Sequence, residues 1–155
     1  METAYLAGGC FWCVEAIFQR VNGVIELKSG YCNGSTQNPS YESICTGQTG
    51  HAEVVKIDFD ESVVSFEELL DVFNATHDPT SLNQQGADKG TQYRSAIFYV
   101  NDSQKEIATS VIGNIKGAVT EITELDVFYP AEGYHQNYFN DNSNQPYCRM
   151  VILPK

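Results

Sequence analysis

The sequence is short of basic residues, with nine Lys and Arg against twenty Asp and Glu and a formal net charge of −11. No cluster of Lys or Arg is available to release counterions from phosphates, so the composition argues against a nucleic-acid surface and against an anionic membrane as a partner. The sequence also contains no apolar run as long as a membrane span, and its first residues lack the basic start and apolar core of a signal peptide. We therefore expect a cytoplasmic protein with no nucleic-acid and no membrane partner.

The sequence also lacks the ligand spacing of a zinc site. Cys10 and Cys13 form one C-x-x-C pair, no second pair or paired histidines accompany it, and Cys32, Cys45 and Cys148 stand apart. Five cysteines in a cytoplasmic chain indicate reactive thiols, metal ligands or small buried side chains, not a disulfide framework. Because the spacing of a zinc site is absent, we predict no metal, and we also expect no bound cofactor. The 155 residues are enough to bury the core of a single domain without cross-links.

Hydrophobic periodicity predicts the element order β-α-β-β-α-β-α-β. The second helix has the clearest start, since Ser65 and Glu68 form a capping box ahead of an apolar stripe. The predicted strands cover residues 3–7, 24–31, 51–58, 95–100 and 122–129. The predicted helices cover residues 11–20, 66–76 and about 103–115, the last capped by Asp102 or Ser103 and closed by Gly117. A short helix at 133–139 and a terminal strand at 151–153 complete the prediction.

This order resembles a split βαβ arrangement and predicts an α+β fold, with helices packed on a mixed sheet. Two long polar segments, residues 35–50 and 77–94, are predicted as loops. Loops of this length are more often functional than short connectors are, so we expect them to carry part of the site.

The stretch 8–10, Gly-Gly-Cys, joins the first strand to the first helix. Two glycines allow a sharp turn and a close approach of the backbone to a ligand. If the helix starts at or just after Cys10, its sulfur faces unpaired N–H groups and the positive end of the helix dipole, which favour the thiolate and lower its pKa. We predict that Cys10 is a nucleophile at the foot of an aromatic pocket formed by Phe11 and Trp12. Cys13 either supports reversible disulfide chemistry with Cys10 or is a buried helix residue.

Several polar residues are candidates for proton transfer or substrate binding. Burial of Glu53 against a pocket would raise the pKa of its carboxyl and make it a proton donor near neutral pH, whereas strand alternation alone favours a solvent-facing side chain. Tyr41 and Tyr93 carry hydroxyls suited to a substrate, but such residues are more often core rings with a solvated tip. Asp88 by itself is a turn residue. No triad partner accompanies the three single histidines, His51, His77 and His135. We predict that they are hydrogen-bonded structural residues, with a general-base role as the less favoured alternative.

Motifs spread over nearly the whole chain match one family. In order they are Gly-Cys-Phe-Trp at 9–12, Gly-Tyr at 30–31, Asn-Pro at 38–39 with Tyr41, Thr-Gly at 46–47 with Gly-His-Ala-Glu-Val-Val at 50–55, Gln-Gly at 85–86 with Asp88, Gly-Thr-Gln-Tyr-Arg-Ser at 90–95, and Glu-Gly-Tyr-His-Gln at 132–136. Several motifs in the same order are more specific than any one of them. By these motifs the sequence resembles the A-class peptide methionine sulfoxide reductases, which reverse methionine oxidation.

The resemblance implies a two-layer α/β sandwich with a ferredoxin-like core, in which a mixed sheet is covered by helices and long functional loops. It implies thiol-dependent reduction of methionine S-sulfoxide, free or in proteins, to methionine, and thus repair of oxidised proteins. Cys10 would attack the sulfoxide sulfur and become a sulfenic acid, which condenses with a second thiol to form a disulfide. Thioredoxin would be the external dithiol reductant, and the protein would act as a monomer.

The resemblance also assigns roles within the pocket. Phe11 and Trp12 would line the space for the methyl group of the substrate, and Glu53 would hydrogen-bond and protonate the sulfoxide oxygen. Since a sulfoxide oxygen leaves only when protonated, the nucleophile must be anionic while the nearby carboxyl stays neutral. The polar side of the site would comprise Tyr41, Asp88 and Tyr93.

The sequence departs from the commonest family pattern around the thiols. Position 13 is cysteine where many members carry glycine, and Cys32 stands where a small apolar residue is more usual. Many members place the resolving cysteine in a flexible C-terminal segment after Gly-Tyr, whereas Cys148 here follows Gln-Pro-Tyr. We predict that Cys148 is the resolving cysteine, carried by a mobile C-terminal segment of residues 140–155 within a single catalytic domain. Cys13 is the alternative, and Cys45 is predicted to be a packed loop residue.

Two rival functions use the same residues differently. One is a dithiol oxidoreductase of thioredoxin type based on Cys10 and Cys13, which the position of Trp12 inside the pair disfavours. The other is a non-enzymatic module that binds an apolar side chain in an aromatic slot.

Overall fold

The computed structural model describes residues 2–8, 11–34, 51–77, 79–80, 84–85, 88–89 and 93–131. Within these ranges the strands are β1 (Glu2–Ala7), β2 (Val24–Cys32), β3 (Ala52–Phe59), β4 (Gln84–Gln85), β5 (Asp88–Lys89), β6 (Ala96–Tyr99), β7 (Glu121–Glu124) and β8 (Phe128–Pro130). The helices are α1 (Phe11–Phe18), α2 (Phe66–Thr76) and α3 (Asp102–Gly113). None of these three helices is long and apolar enough to cross a membrane. The short helix predicted at 133–139 and the strand predicted at 151–153 lie outside the described residues.

Six strands form one mixed sheet in the order β7-β6-β1-β3-β2-β8. Neighbouring strands are antiparallel except β6 and β7, which are parallel. The short strands β4 and β5 form a separate antiparallel hairpin inside the segment 77–94, which was predicted as a loop. The α+β class and the mixed sheet are confirmed.

The two faces of this sheet carry different cores. Residues of all three helices pack in the larger cluster together with Leu6, Val55 and Ile57. The smaller cluster is formed by strand residues that include Ala52 and Val54. Because side chains alternate along a strand, Glu53 lies on the same face of β3 as Val55 and Ile57, which is the face that the helices cover.

Asn33 hydrogen-bonds to the connection between the two edge strands of the sheet. β7 and β8 lie at opposite edges of the sheet, although only residues 125–127 connect them. Asn33, which has a φ of 57°, donates from Nδ2 to the carbonyl of Glu124 at 2.9 Å and accepts at Oδ1 from the N–H of Asp126 at 2.9 Å. The single strand predicted over 122–129 is therefore wrong. Asn33, which follows β2, hydrogen-bonds to the backbone of Glu124 and Asp126, where β7 ends and the connection to β8 begins.

The helix ends follow local hydrogen bonding. The capping box of α2 is confirmed, since the N–H of Glu68 donates to Ser65 Oγ and the N–H of Ser65 donates to Glu68 Oε1, both at 3.1 Å. The N-cap of α3 is Asn101, whose Oδ1 accepts from the N–H of Gln104 at 2.8 Å, so the predicted caps Asp102 and Ser103 are wrong. α3 also ends at residue 113, before the predicted end at about residue 115.

Candidate active site

The turn between β1 and α1 is tightly packed at Gly8. A Cβ added there would lie 2.8 Å from Cε1 of Phe73 and 2.9 Å from Cδ2 of His77, closer than nonbonded carbon atoms approach. At Gly8 the space that a side chain would need is thus filled by two rings, and the close approach of the backbone to a ligand stays a prediction. α1 begins at Phe11, so Cys10, which lies outside the described residues, immediately precedes the first helical residue.

Glu53 is completely buried, with 0% of its surface exposed. It faces the helices because it shares a face of β3 with Val55, and it pairs in register with Tyr31 of β2. The solvent-facing position that strand alternation favours for Glu53 is therefore wrong. β3 is a central strand with both faces covered, so alternation along it does not separate core from solvent.

The strand register brings Glu53 to the end of the sheet where α1 begins. Leu6 of β1 pairs with Val55, so Glu53 lies two residues beyond that pair, toward the turn that leads into α1. On the other side of β1, Ala7 pairs with Ala96, the first residue of β6. The segment just before β6 therefore reaches the same end of the sheet.

Tyr93 belongs to that segment. It is partly buried and packs against the helix-side core, so its ring has the core contact considered in the sequence analysis. Asp88 lies in β5, opposite Gln85, and its side chain is not among the described groups. The backbone of Phe11, Trp12 and Cys13 forms the first turn of α1, whereas their side chains are outside the description. Tyr41, Cys45 and Cys148 lie outside the described residues.

A buried carboxyl that the sequence reasoning missed fixes α1 on the sheet. Glu15 of α1 is 2% exposed, and its Oε2 accepts a hydrogen bond from the hydroxyl of Ser29 on β2 at 3.0 Å. Ser29 pairs with Val55, so this contact lies on the same sheet face as Glu53, two residues away along β3. The available signal was an acid between Val14 and Ala16 in a helix that is otherwise apolar.

Both histidines whose environment is described are hydrogen-bonded, as predicted. His51 is 2% exposed, and its Nδ1 accepts from the N–H of Gly34 at 3.1 Å. Its ring meets Tyr129 edge-on, with the ring centroids 5.7 Å apart. His77 contacts the turn before Cys10. His135 lies outside the described residues.

Cys32 lies on the other face of the sheet, in the smaller core cluster, and is completely buried. Burial raises the pKa of its thiol far above the ordinary value, and the nearby Arg94 offsets this only in part. Cys32 therefore stays protonated at neutral pH and is separated by the sheet from the Glu53 side. Among the described residues, no group of three His, Cys, Asp or Glu side chains is arranged to hold a metal ion.

A comparison with known families decides what this arrangement belongs to. The family model described as "Peptide methionine sulfoxide reductase" matches residues 2–155. The chain belongs to this family. Among curated relatives, the peptide methionine sulfoxide reductase MsrA of Vesicomyosocius okutanii is 64% identical over 156 residues, covering 100% of this chain and 96% of the relative.

Solved structures agree with this assignment. The chain is similar to Mxr1 from Saccharomyces cerevisiae in reduced form, with a TM-score of 0.85 and 36% identity, over 95% of this chain and 88% of Mxr1. It is also similar to Mxr1 in complex with Trx2, with a TM-score of 0.58 and 25% identity, over 88% of this chain and 84% of that chain. The fold described above is therefore the fold of this family.

Proposed function

We propose that this protein reduces methionine S-sulfoxide, free or within proteins, to methionine, and so repairs oxidised proteins. The observation that carries the proposal is the complete burial of Glu53 at the end of the sheet where α1 begins. Burial keeps the carboxyl of Glu53 protonated, so it can act as a proton donor. The nearby start of α1 favours a thiolate at Cys10. Family membership supplies the substrate on which this pair acts.

Cys10 is the nucleophile in this proposal. Its thiolate attacks the sulfoxide sulfur and a bond forms between the two sulfur atoms. The sulfoxide oxygen takes a proton from Glu53, its bond to the methionine sulfur breaks, and it bonds to the cysteine sulfur. The bond between the two sulfur atoms then breaks, so that methionine leaves and Cys10 is a sulfenic acid. The cysteine is oxidised by two electrons and the substrate is reduced by two. Because α1 begins one residue later and has no acidic residue in its first turn, its dipole favours the anionic sulfur.

Glu53 supplies the proton that the sulfoxide oxygen needs in order to leave. A carboxyl with no exposed surface is disfavoured as an anion, so it keeps its proton available for transfer at neutral pH. The other roles follow the resemblance: Phe11 and Trp12 hold the methyl group of the substrate, and Tyr41, Asp88 and Tyr93 bind its polar side.

The sulfenic acid is removed by a second thiol, for which we propose Cys148. This thiol attacks the sulfenic sulfur of Cys10, a disulfide forms and water leaves. Cys13 is the alternative, which its place in the first turn of α1, only three residues after Cys10 in the chain, supports. A thioredoxin then reduces the disulfide and becomes a disulfide itself, a role that the solved complex of Mxr1 with Trx2 supports.

We also propose that the fold has a ferredoxin-like core in a two-layer sandwich. The strands β6-β1-β3-β2 are consecutive antiparallel neighbours, α1 lies between β1 and β2 in the chain, and α2 lies between β3 and β6, which supports a split βαβ arrangement. The contribution of all three helices to one core cluster supports a helical layer. A single catalytic domain over residues 1–155, a monomer and a cytoplasmic location stay predictions.

Single-turnover reduction tests the proposal. The reduced protein, freed of reductant, is mixed with a peptide that contains methionine S-sulfoxide, and the methionine formed is measured against time. Glu53→Gln should slow the reaction by about 10²–10⁴-fold, since an amide cannot act as the acid, and Cys10→Ser should abolish it. The control is Glu26→Gln, which changes an exposed acid on β2 and should leave the rate unchanged.

The same assay separates the rival functions. A disulfide-containing protein is offered in parallel, and a wild-type protein that reduces the disulfide but leaves the sulfoxide intact acts as a dithiol oxidoreductase. A Cys10→Ser variant that keeps full biological activity would indicate the binding module. A wild-type rate for Glu53→Gln would remove Glu53 from the acid role.

A further inference from the structure

The ring of His77 packs against the turn that leads to Cys10. A Cβ on Gly8 would come within 2.9 Å of Cδ2 and 3.0 Å of Cγ of His77, so the ring fills the space that a side chain at Gly8 would need. The ring also lies over the ring of Phe73, with centroids 4.0 Å apart and planes inclined by 32°. Phe73 and His77 together therefore fill the space beside Gly8 at the end of β1.

Both nitrogens of the His77 ring are hydrogen-bonded. Nδ1 contacts the carbonyl of Phe73, and because a carbonyl only accepts, Nδ1 carries the proton. In the neutral ring Nε2 then accepts from the hydroxyl of Ser95 at 2.8 Å. The oxygen of Ser95 in turn accepts from the hydroxyl of Thr120 at 2.7 Å. With two polar contacts and one stacked face, the ring is held against rotation.

The hydrogen-bonded chain joins two segments of the candidate site. β1 and β6 pair up to Ala7 and Ala96, so Gly8 and Ser95 are the next residues along these neighbouring strands. His77 touches the first of them and hydrogen-bonds to the second. Gly8 lies two residues before Cys10, and Ser95 lies two residues after Tyr93.

We infer that His77 is a positioning residue for sulfoxide reduction: held through Ser95 and Thr120, it supports Gly8 and so sets where the turn presents Cys10 relative to Tyr93. The inference rests on the proposed function, because it assumes that Cys10 is the nucleophile. His77 takes no part in proton transfer to the substrate. It acts through the backbone at Gly8. Because glycine has no side chain, the ring of His77 fills the space beside this residue.

The test compares two reactions of Cys10 in one set of variants. Reduction of a peptide sulfoxide in a single turnover requires a fixed geometry, whereas alkylation of Cys10 by iodoacetamide, followed by peptide mass spectrometry, does not. His77→Ala should slow sulfoxide reduction by about 10–100-fold, as a misplaced reacting group does, and should change Cys10 alkylation by less than about twofold, since a freely diffusing reagent needs no such placement. Ser95→Ala, which keeps the ring and removes its anchor, should slow reduction by about fivefold, the effect of one lost hydrogen bond.

Gln104→Ala is the matched control for stability. Gln104 is buried and donates from Nε2 to the carbonyl of Thr3 at 2.8 Å, so its loss loosens the opposite end of the same strand. It should keep the wild-type single-turnover rate. If His77→Ala does not fold, the single-turnover rates of Ser95→Ala and Gln104→Ala are compared instead, and only Ser95→Ala should be slower than the wild-type protein.

Three results would overturn the inference. These are wild-type reduction rates in both His77→Ala and Ser95→Ala, an equal loss in Gln104→Ala, or a loss of alkylation that parallels the loss of reduction. A wild-type protein that leaves the sulfoxide intact would instead refute the proposed function itself, so the two failures are distinguishable.

Discussion

Replacing Gly8 with alanine tests the packing of the turn before Cys10. The added methyl carbon would lie 2.8 Å from Cε1 of Phe73 and 2.9 Å from Cδ2 of His77, whereas carbon atoms in contact lie about 3.5–4.0 Å apart. The turn or the two rings must therefore move by at least about 0.7 Å to restore ordinary contact. A displacement approaching 1 Å near a reacting group lowers a rate by about 10²-fold, and overpacking a core costs about 1–3 kcal/mol. We expect Gly8→Ala to slow single-turnover sulfoxide reduction by about 10–100-fold.

The measurement pairs single-turnover kinetics with urea unfolding of the same preparations. Gly113→Ala is the control, because a Cβ at Gly113, the last residue of α3, meets nothing within 4 Å. It should keep the wild-type rate and gain up to about 1 kcal/mol of unfolding free energy, as a helical glycine replaced by alanine does. A folded Gly8→Ala variant that reduces sulfoxide at the wild-type rate would refute the argument from the turn.

Three further predictions concern stability. Burial raises the pKa of the Cys32 thiol well above its ordinary value of 9.0. As the pH rises past about 9, the thiol therefore loses its proton in the unfolded chain while it stays protonated in the folded protein. The free energy of unfolding then falls by up to about 1.4 kcal/mol per pH unit. Cys32→Ala should lack that decline in urea unfolding between about pH 8 and 10.5, and identical slopes would contradict it. Ser29→Ala removes the hydroxyl that donates to the buried carboxyl of Glu15 and should lower the free energy of unfolding in urea by about 1–3 kcal/mol. A decrease no larger than that of Ser62→Ala, at an exposed serine, would contradict the claim that this hydrogen bond holds α1 on the sheet. Asn101→Ala removes the N-cap of α3 and should lower the free energy of unfolding by about 1 kcal/mol. No decrease, or a larger decrease in Asp102→Ala, would indicate that Asp102 is the N-cap, as the sequence predicted.

The elements that could be predicted from the sequence depend on interactions between near neighbours. The capping box of α2 joins Ser65 and Glu68, three residues apart, and both hydrogen bonds are present. β6 is buried as its apolar run indicates, with Ala96, Ile97 and Phe98 at 0% exposure. α1 begins where the change from glycine to apolar periodicity places it. In each case the residues that decide the structure lie within one or two turns of chain.

The elements that could not be predicted depend on residues far apart in the chain. Asn33 divides the expected strand at 122–129 from a position 91 residues before Glu124. The Asn-Asp-Ser run at 101–103 offers three adjacent residues with similar N-cap preference, so only the backbone geometry selects Asn101.

The candidate site shows the same division. Cys10 is indicated by local signals, the glycine turn and the helix start. The burial of Glu53 depends on helices that pack over β3, and alternation within β3 itself points the other way. The contact between Gly8 and His77 joins residues that no local pattern relates. The burial of Glu53 therefore requires the fold, whereas the local signals at Cys10 do not.

The most direct test of the account is a single turnover of the reduced wild-type protein on a peptide with one methionine S-sulfoxide, followed by peptide mapping of the cysteines. We predict one methionine formed per protein molecule and a disulfide that joins Cys10 to Cys148, with Cys32 still a thiol. A disulfide from Cys10 to Cys13 would move the resolving role to Cys13. No methionine formed, or methionine formed with Cys10 still a free thiol, would contradict the central claim that Cys10 takes the oxygen from the substrate.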